Sequence, residues 1–314
     1  MSVTIGTSGW SYPGGRGTWN GVFYPSKGER PRGFDELEFY ARWFNVVEVN
    51  STFYGQPRAR TTQAWADRTP AGFEFAVKLF QKFTHPSMFL DAVAAGAPGT
   101  SDAAPATAGD VRLADVDEFK SGVEPLAVSG KLGPLLVQFP PSFTASAEGV
   151  DYLGWLLRTF ASYTLAVELR HKSWSDAAGD TAALLSAYDA AWVLIDEPKF
   201  RFSIEQNWAA PDGVGAGVGY VRFHGRNAAE WWTHAATEDR YNYLYSASEL
   251  APLAAAATSL VAQVKKAYLF FNNHFSAQGV ANAVQLRRQL GDPIPEPLPP
   301  ALVERFPWLN EPPT

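Results

Sequence analysis

The chain has 314 residues, 46% apolar and 18% charged, with no cysteine and a net charge of −6 at neutral pH. Such a length supports a large buried core, and the missing cysteines exclude disulfides, thiolate metal sites and a cysteine nucleophile. The acidic balance disfavours general binding to nucleic acid or membrane surfaces, and no apolar run approaches the roughly 18–20 residues of a membrane helix.

The first residues, Met1-Ser2-Val3-Thr4-Ile5-Gly6, carry no basic region and no signal-like apolar stretch, so a cytoplasmic location is expected. Eight short runs rich in β-branched and aromatic residues then follow: Val3–Thr7, Val46–Asn50, Phe73–Lys78, Leu135–Phe139, Leu165–Arg170, Trp192–Asp196, Val218–His224 and Ala267–Asn272. Their composition predicts strands. Between them apolar residues recur at helical spacing. Examples are Phe34, Leu37, Ala41 and Phe44, then Val150, Leu153, Leu156, Leu157 and Phe160, then Leu250, Leu253, Ala257, Leu260 and Val264. Strands alternating with helices predict an α/β protein, a single (β/α)8 TIM barrel spanning residues 1–314 as one domain. The alternative is an open doubly wound sheet, but no glycine fingerprint follows the first strand. Residues 91–110, rich in Ala, Gly, Pro, Ser and Asp, predict a flexible insertion between strands three and four. A helix from about Val111 to Val128 should follow. From Pro293 onward a proline-rich segment carrying Leu302, Phe306, Trp308 and Leu309 is expected to strap onto the barrel. The run Gly213, Gly215, Gly217, Gly219 precedes a strand rather than opening a helix, and reads as a loop.

Side chains alternate across a strand, so in a barrel one parity meets the helices and the other the lumen. Apolar parity identifies the helix side: Val47 and Val49, Phe73, Phe75 and Val77, Leu135 and Val137, Val167 and Leu169, Val193 and Ile195, Val221 and Phe223. The opposite parity carries Glu48, Asn50, Glu74, Lys78, Gln138, Glu168, Arg170, Asp196, Tyr220, Arg222 and His224. Strand eight reads either way, with Phe270, Asn272 and His274 sharing one parity. Burying so many ionisable groups costs several kcal/mol each unless they pair. A lumen of this kind, weighted toward the C-terminal strand ends, is where barrels carry active sites.

An ordered set of short motifs runs along nearly the whole chain. It comprises Gly6-Thr7-Ser8-Gly9-Trp10, Asn50-Ser51-Thr52-Phe53-Tyr54, Lys78 with Thr84-His85, and Gln138-Phe139-Pro140-Pro141. It continues with Glu168-Leu169-Arg170-His171 and Trp174, Arg222-Phe223-His224-Gly225-Arg226, and Phe271-Asn272-Asn273-His274 with Asn282-Ala283. The set resembles the YecE-like family, a domain of unknown function (family 72). That resemblance implies a TIM barrel and carries no established activity. The 91–110 insertion is longer than is usual for the family.

The same residues supply candidate chemistry. Four of the five histidines, His85, His171, His224 and His274, lie at or just beyond strand ends. Glu48, Glu168, Asp196 and His224 are candidate catalytic groups for acid–base work. Candidate binding residues are Trp10, Asn50, Tyr54, Lys78, His85, Gln138, Arg170, Arg222, Arg226, Asn272 and His274. Arginine forks match phosphate or carboxylate. The expected function is therefore hydrolase- or isomerase-type chemistry on an anionic or polyhydroxylated small ligand, without a required cofactor. A second reading is a divalent-metal barrel of the sugar-isomerase or apurinic-endonuclease type, using Glu168, Asp196, His224 and His274. The interleaved arginines and the lack of a His-x-x-x-His signature argue against it. A third is a non-catalytic barrel binding a small ligand or, through Trp10, Tyr54 and Trp174, a nucleic-acid base. The aromatic segment from His224 to Tyr245, with Trp231, Trp232, Arg240, Tyr241 and Tyr243, reads as a lid.

Overall fold

A computed structural model of the chain describes residues 2–95, 111–208, 217–232 and 237–310. Most of the 91–110 insertion, the Gly213–Gly215 part of the glycine run, His234 and the end of the tail lie outside the described residues.

The described residues form nine strands: β1 (Ser2–Thr7), β2 (Val46–Val49), β3 (Glu74–Lys78), β4 (Leu132–Gln138), β5 (Leu165–Glu168), β6 (Ala191–Trp192), β7 (Leu194–Asp196), β8 (Val218–Phe223) and β9 (Lys266–Phe271). Every pairing is parallel. Two sheets result, ordered β2-β3-β4-β5-β6 and β1-β9-β8-β7. This is an α/β fold with parallel sheets. The predicted sixth strand differs from expectation. It breaks at Val193, so its first half pairs with β5 and its second with β8. Val193 itself donates its N–H to Val167 O at 2.9 Å. At the other boundary a parallel bridge joins Ser8 to Glu48, where Gly9 N–H donates to Glu48 O at 2.7 Å.

Helices lie between the strands, and side-chain caps fix the N-termini of several. Asp35 caps Glu36–Tyr40, Ser146 caps Ala147–Thr159, and Ser246 with Glu249 forms a capping box on Ala247–Val261. The helix after the insertion runs Leu113–Val128 and buries Val116, Phe119, Val123 and Leu126 at helical spacing. It packs on Ala59–Asp67 through Gly122, where a Cβ would sit 2.1 Å from Pro57 O. The Gly122 carbonyl also accepts from Thr62 Oγ1 at 2.7 Å. Gly122→Ala should therefore destabilise by about 1–3 kcal/mol through overpacking, although alanine favours helix. A lowered urea midpoint checks this; an unchanged one would show that the two helices part freely.

Apolar strand residues, among them Val47, Val77, Val137, Val167, Ile195, Val221 and Phe223, are buried in one core. The opposite parity points the other way, and across it the two sheets meet through polar side chains. Arg222 of β8 reaches Glu48 of β2 and Glu168 of β5. Lys266 of β9 pairs with Glu74 of β3, and Tyr268 donates to the same carboxylate at 3.1 Å. These contacts also settle β9: Tyr268 and Asn272 belong to the polar side, while Phe271 stacks on Phe223 at 4.5 Å. The tail returns along the helix Gln278–Gln289, held by Arg287 to Pro293 O and by Arg288 to Leu309 O and Glu296. Leu298, Leu302, Phe306 and Leu309 are buried beneath it.

Candidate functional site

At the C-terminal strand ends a cavity of about 720 Å³ opens. Its floor comes from the last residues of β3, β4, β5, β8 and β9 or the residues just after them. Lys78, Gln138, Arg170, Arg222, His224 and Asn272 all line it, with Trp10, Asn50, Tyr54, His85 and His274 around the wall. Eleven expected binding or catalytic residues thus share one space. Among the described residues, five lysine or arginine side chains face it, against one carboxylate, Glu238.

The catalytic carboxylates expected from sequence lie behind this surface. Glu48 and Glu168 are both 0% exposed. Arg222 clamps Glu48 with two bonds, Nε to Oε2 at 2.9 Å and Nη2 to Oε1 at 2.7 Å. The Tyr220 hydroxyl adds a third at 2.7 Å and Asn50 a fourth at 3.2 Å. Glu168 accepts from Arg222 Nη1 and Arg170 Nε, each at 2.6 Å. Burial alone would raise both carboxyls; the guanidiniums overturn this and hold Glu48 below, and Glu168 well below, the usual carboxylate range. Both are anions engaged by guanidiniums, which suits charge-bracing better than proton transfer.

His224 is buried and pushed down to about 4, by burial first and then by Arg222. Its ring is therefore neutral. Three N–H donors surround it: Asn272 Nδ2 at 2.9 Å from Nδ1, and Arg170 Nη2 at 3.2 Å and Arg222 Nη1 at 3.5 Å from Nε2. A neutral imidazole accepts at one nitrogen only. Turning the Asn272 amide by 180° lets its oxygen accept from Nδ1–H while Nε2 accepts from Arg170. Trp231 closes over the ring edge, centroids 6.3 Å apart.

Lys78 differs from all of these. It is 9% exposed, and no ion pair among the described residues includes it. Its Nζ donates to Gln138 Oε1 at 2.6 Å and lies 3.8 Å from the Phe53 ring centroid. Burial, followed by Arg222, pushes it down to about 7. His85 sits edge-on to the same Phe53 ring at 4.9 Å and is lowered to about 3 by burial and then by Lys78.

Several expected site residues are elsewhere. Asp196 is held by both ends of the Arg226 guanidinium, at 2.9 and 2.8 Å, and by the Tyr245 hydroxyl at 2.6 Å. Neither Asp196 nor Arg226 lines the cavity. Gly225, at φ 84°, lets the backbone turn there, with Tyr243 Cβ 2.7 Å from where its own Cβ would be. Glu74 lies at the opposite strand end with Lys266. His171 faces a second cavity, of about 470 Å³, which shares Arg170, Trp231 and Trp232 with the first. The metal reading does not fit this donor set. Asp196 and Glu168 are committed to guanidiniums, and among the described residues no group of three or more His, Asp or Glu could hold an ion.

Sequence reasoning missed Glu197, buried in the second cavity's wall 3.4 Å from Arg170 and raised by burial. It falls off the parity of β7, so alternation carried no signal for it. Tyr12 was missed too; it stacks on His274 at 4.3 Å from a glycine-rich loop without periodicity.

Fold and site together define an α/β protein with parallel sheets and a cation-lined cavity at the strand C-termini. Residues 4–303 match the family described as "Protein of unknown function DUF72", and the chain belongs to that family. The UPF0759 protein YunF of Bacillus subtilis (strain 168) is 27% identical over 292 residues, covering 90% of this chain and 93% of its own. The crystal structure of a DUF72 family protein from Thermotoga maritima MSB8 superposes with a TM-score of 0.72 at 32% identity, over 93% of this chain and all of that one (100%). One from Enterococcus faecalis V583 gives 0.74 at 23% identity, over 95% and 98%. Among the described residues no helix is long and apolar enough to cross a membrane.

Proposed function

We propose that the chain is a single-domain TIM-barrel enzyme that binds a small anionic ligand in this cavity and moves protons with Lys78. The carrying observation is the layering: N–H donors of Lys78, Arg170, Arg222 and Asn272 face the cavity, while their balancing carboxylates lie behind. The Ser8–Glu48 bridge and the run from β6 into β7 support closure of the two sheets into one barrel. Arg170 and Asn272 would orient the anion, and Glu48, Glu168 and His224 would brace the cations. A lysine near neutrality is matched to acid–base work of the hydrolase or isomerase kind. Tyr54 and Trp232, 66% and 59% exposed at the mouth, favour a polyhydroxylated body on the ligand, since sugar faces pack on aromatic rings. The expected setting is the cytoplasm.

Thermal melting with inorganic phosphate, a sugar phosphate and the neutral sugar, at matched ionic strength, tests this. At hundredfold excess over Kd the anion should stabilise by about 2.7 kcal/mol. Arg170→Lys and Asn272→Ala should each remove most of the shift. A neutral sugar that stabilises as well as its phosphate would sink the anionic reading.

A further inference from the structure

We propose that Lys78 is a covalent nucleophile that forms an imine with a carbonyl group on the anionic ligand. This rests on the anion-site reading above and goes beyond it by naming the functional group that reacts.

The geometry is that of an amine kept available. A buried lysine normally finds a carboxylate; among the described residues Lys78 has an amide oxygen and a ring face instead. Gln138 is itself fixed, its Nε2 donating to Phe139 O at 3.1 Å, so that Oε1 aims at Nζ. One acceptor positions the amine without pinning it as an ammonium. The charges nearest it come from three strands: Arg222 on β8, Glu168 and Arg170 on and just after β5, and Glu48 on β2. Both carboxylates are already neutralised by the guanidiniums, and neutral His85 stands at the fourth side. Glu168 and Glu48 favour its proton, but burial, followed by Arg222, outweighs them and drives the proton off, to a value of about 7. Half of it is then free amine at pH 7, against roughly one part in 2,500 for an ordinary lysine. Desolvated lysines of this kind serve as imine-forming nucleophiles.

The step balances without a redox partner. The amine lone pair adds to the carbonyl carbon while the carbonyl π pair moves to oxygen. A proton passes from nitrogen to that oxygen, giving the carbinolamine. A second proton, from solvent, lets the hydroxyl leave as water as the nitrogen lone pair closes the C=N bond. The cavity's N–H donors would stabilise the oxygen as it becomes anionic.

Pyruvate, an anion with a ketone, is the probe, with cyanoborohydride to reduce the iminium to a stable amine. At pH 7 one adduct should map to Lys78, forming at least about tenfold faster than on any other lysine. Its rate should rise with pH to half-maximum near 7. Lys78→Met and Lys78→Arg should both lose it; the arginine variant keeps the cation if methionine disturbs folding. Adducts scattered over surface lysines, with Lys78 unmodified, would overturn the proposal. Melting with pyruvate and no reductant separates the two readings. Stabilisation without an adduct leaves the anion site standing and the imine refuted; neither result refutes both.

Discussion

Arg222→Met is expected to cost about 3–5 kcal/mol of stability, a large part of what a domain of this kind possesses. Arg222 is 2% exposed and bonds two carboxylates that are 0% exposed. Removing it does not affect them equally. Glu168 keeps Arg170 at 2.6 Å. Glu48 keeps the Tyr220 hydroxyl and Asn50, neither of them a cation. A carboxylate is thereby stranded in the interior, and the tie between β8 and β2 is reduced to the Tyr220 hydroxyl. Urea unfolding measures the loss. Adding Glu48→Gln to the same chain should recover at least about half of it, because the stranded charge is then gone. A single variant as stable as the parent would show that the cluster does not hold the sheets together.

The second large effect is of pH. His85, His224 and His274 are lowered to about 3, 4 and 4, in each case by burial first. Unfolded, each returns to about 6.5. Between those values the unfolded chain binds protons that the native one refuses, so stability rises with pH. The contribution is complete above about 6.5 and is lost as pH falls toward 4. From pH 7.5 to 5.5 the three together should remove about 2–4 kcal/mol. Lower still, Glu48 and Glu168 act in the same direction. Their folded values lie below the ordinary 4.5, so the stability they supply is present above 4.5 and disappears as pH drops through the folded values. Urea midpoints at pH 7.5 and 5.5 check this. His224→Gln should flatten the slope by about a third, and equal midpoints in the parent chain would contradict the buried neutral state.

Alternation along the strands made most of this site legible. Glu48, Glu168 and Arg222 converge because each sits opposite a run of apolar neighbours, and only one interior is available to them. Parity carries no depth, however. Glu74 and Lys78 share a side of β3, yet one begins the strand and the other ends it, so Glu74 pairs with Lys266 far from the cavity. Nor does parity show which charge stands in front. Long guanidinium stems reach past the short carboxylates, so the cations line the cavity and the anions lie beneath. Asp196 was misplaced for a different reason: Arg226 and Tyr245, which hold it, come from a connection with no repeating pattern. The break at Val193 is a one-residue event, and composition across Trp192–Asp196 is continuous.

The pairing of β1 with β9 has a consequence for biosynthesis. Ser2 is matched to Lys266 and Thr7 to Phe271, so β1 bonds to a strand translated long after it. A nascent chain carries that strand with one edge vacant until residue 271 has left the ribosome, its other edge meeting little beyond the Ser8–Glu48 bridge. Completion of this sheet thus waits until residue 271 has been made. Until then the first strand is the stretch a chaperone, or another unfinished copy, would encounter.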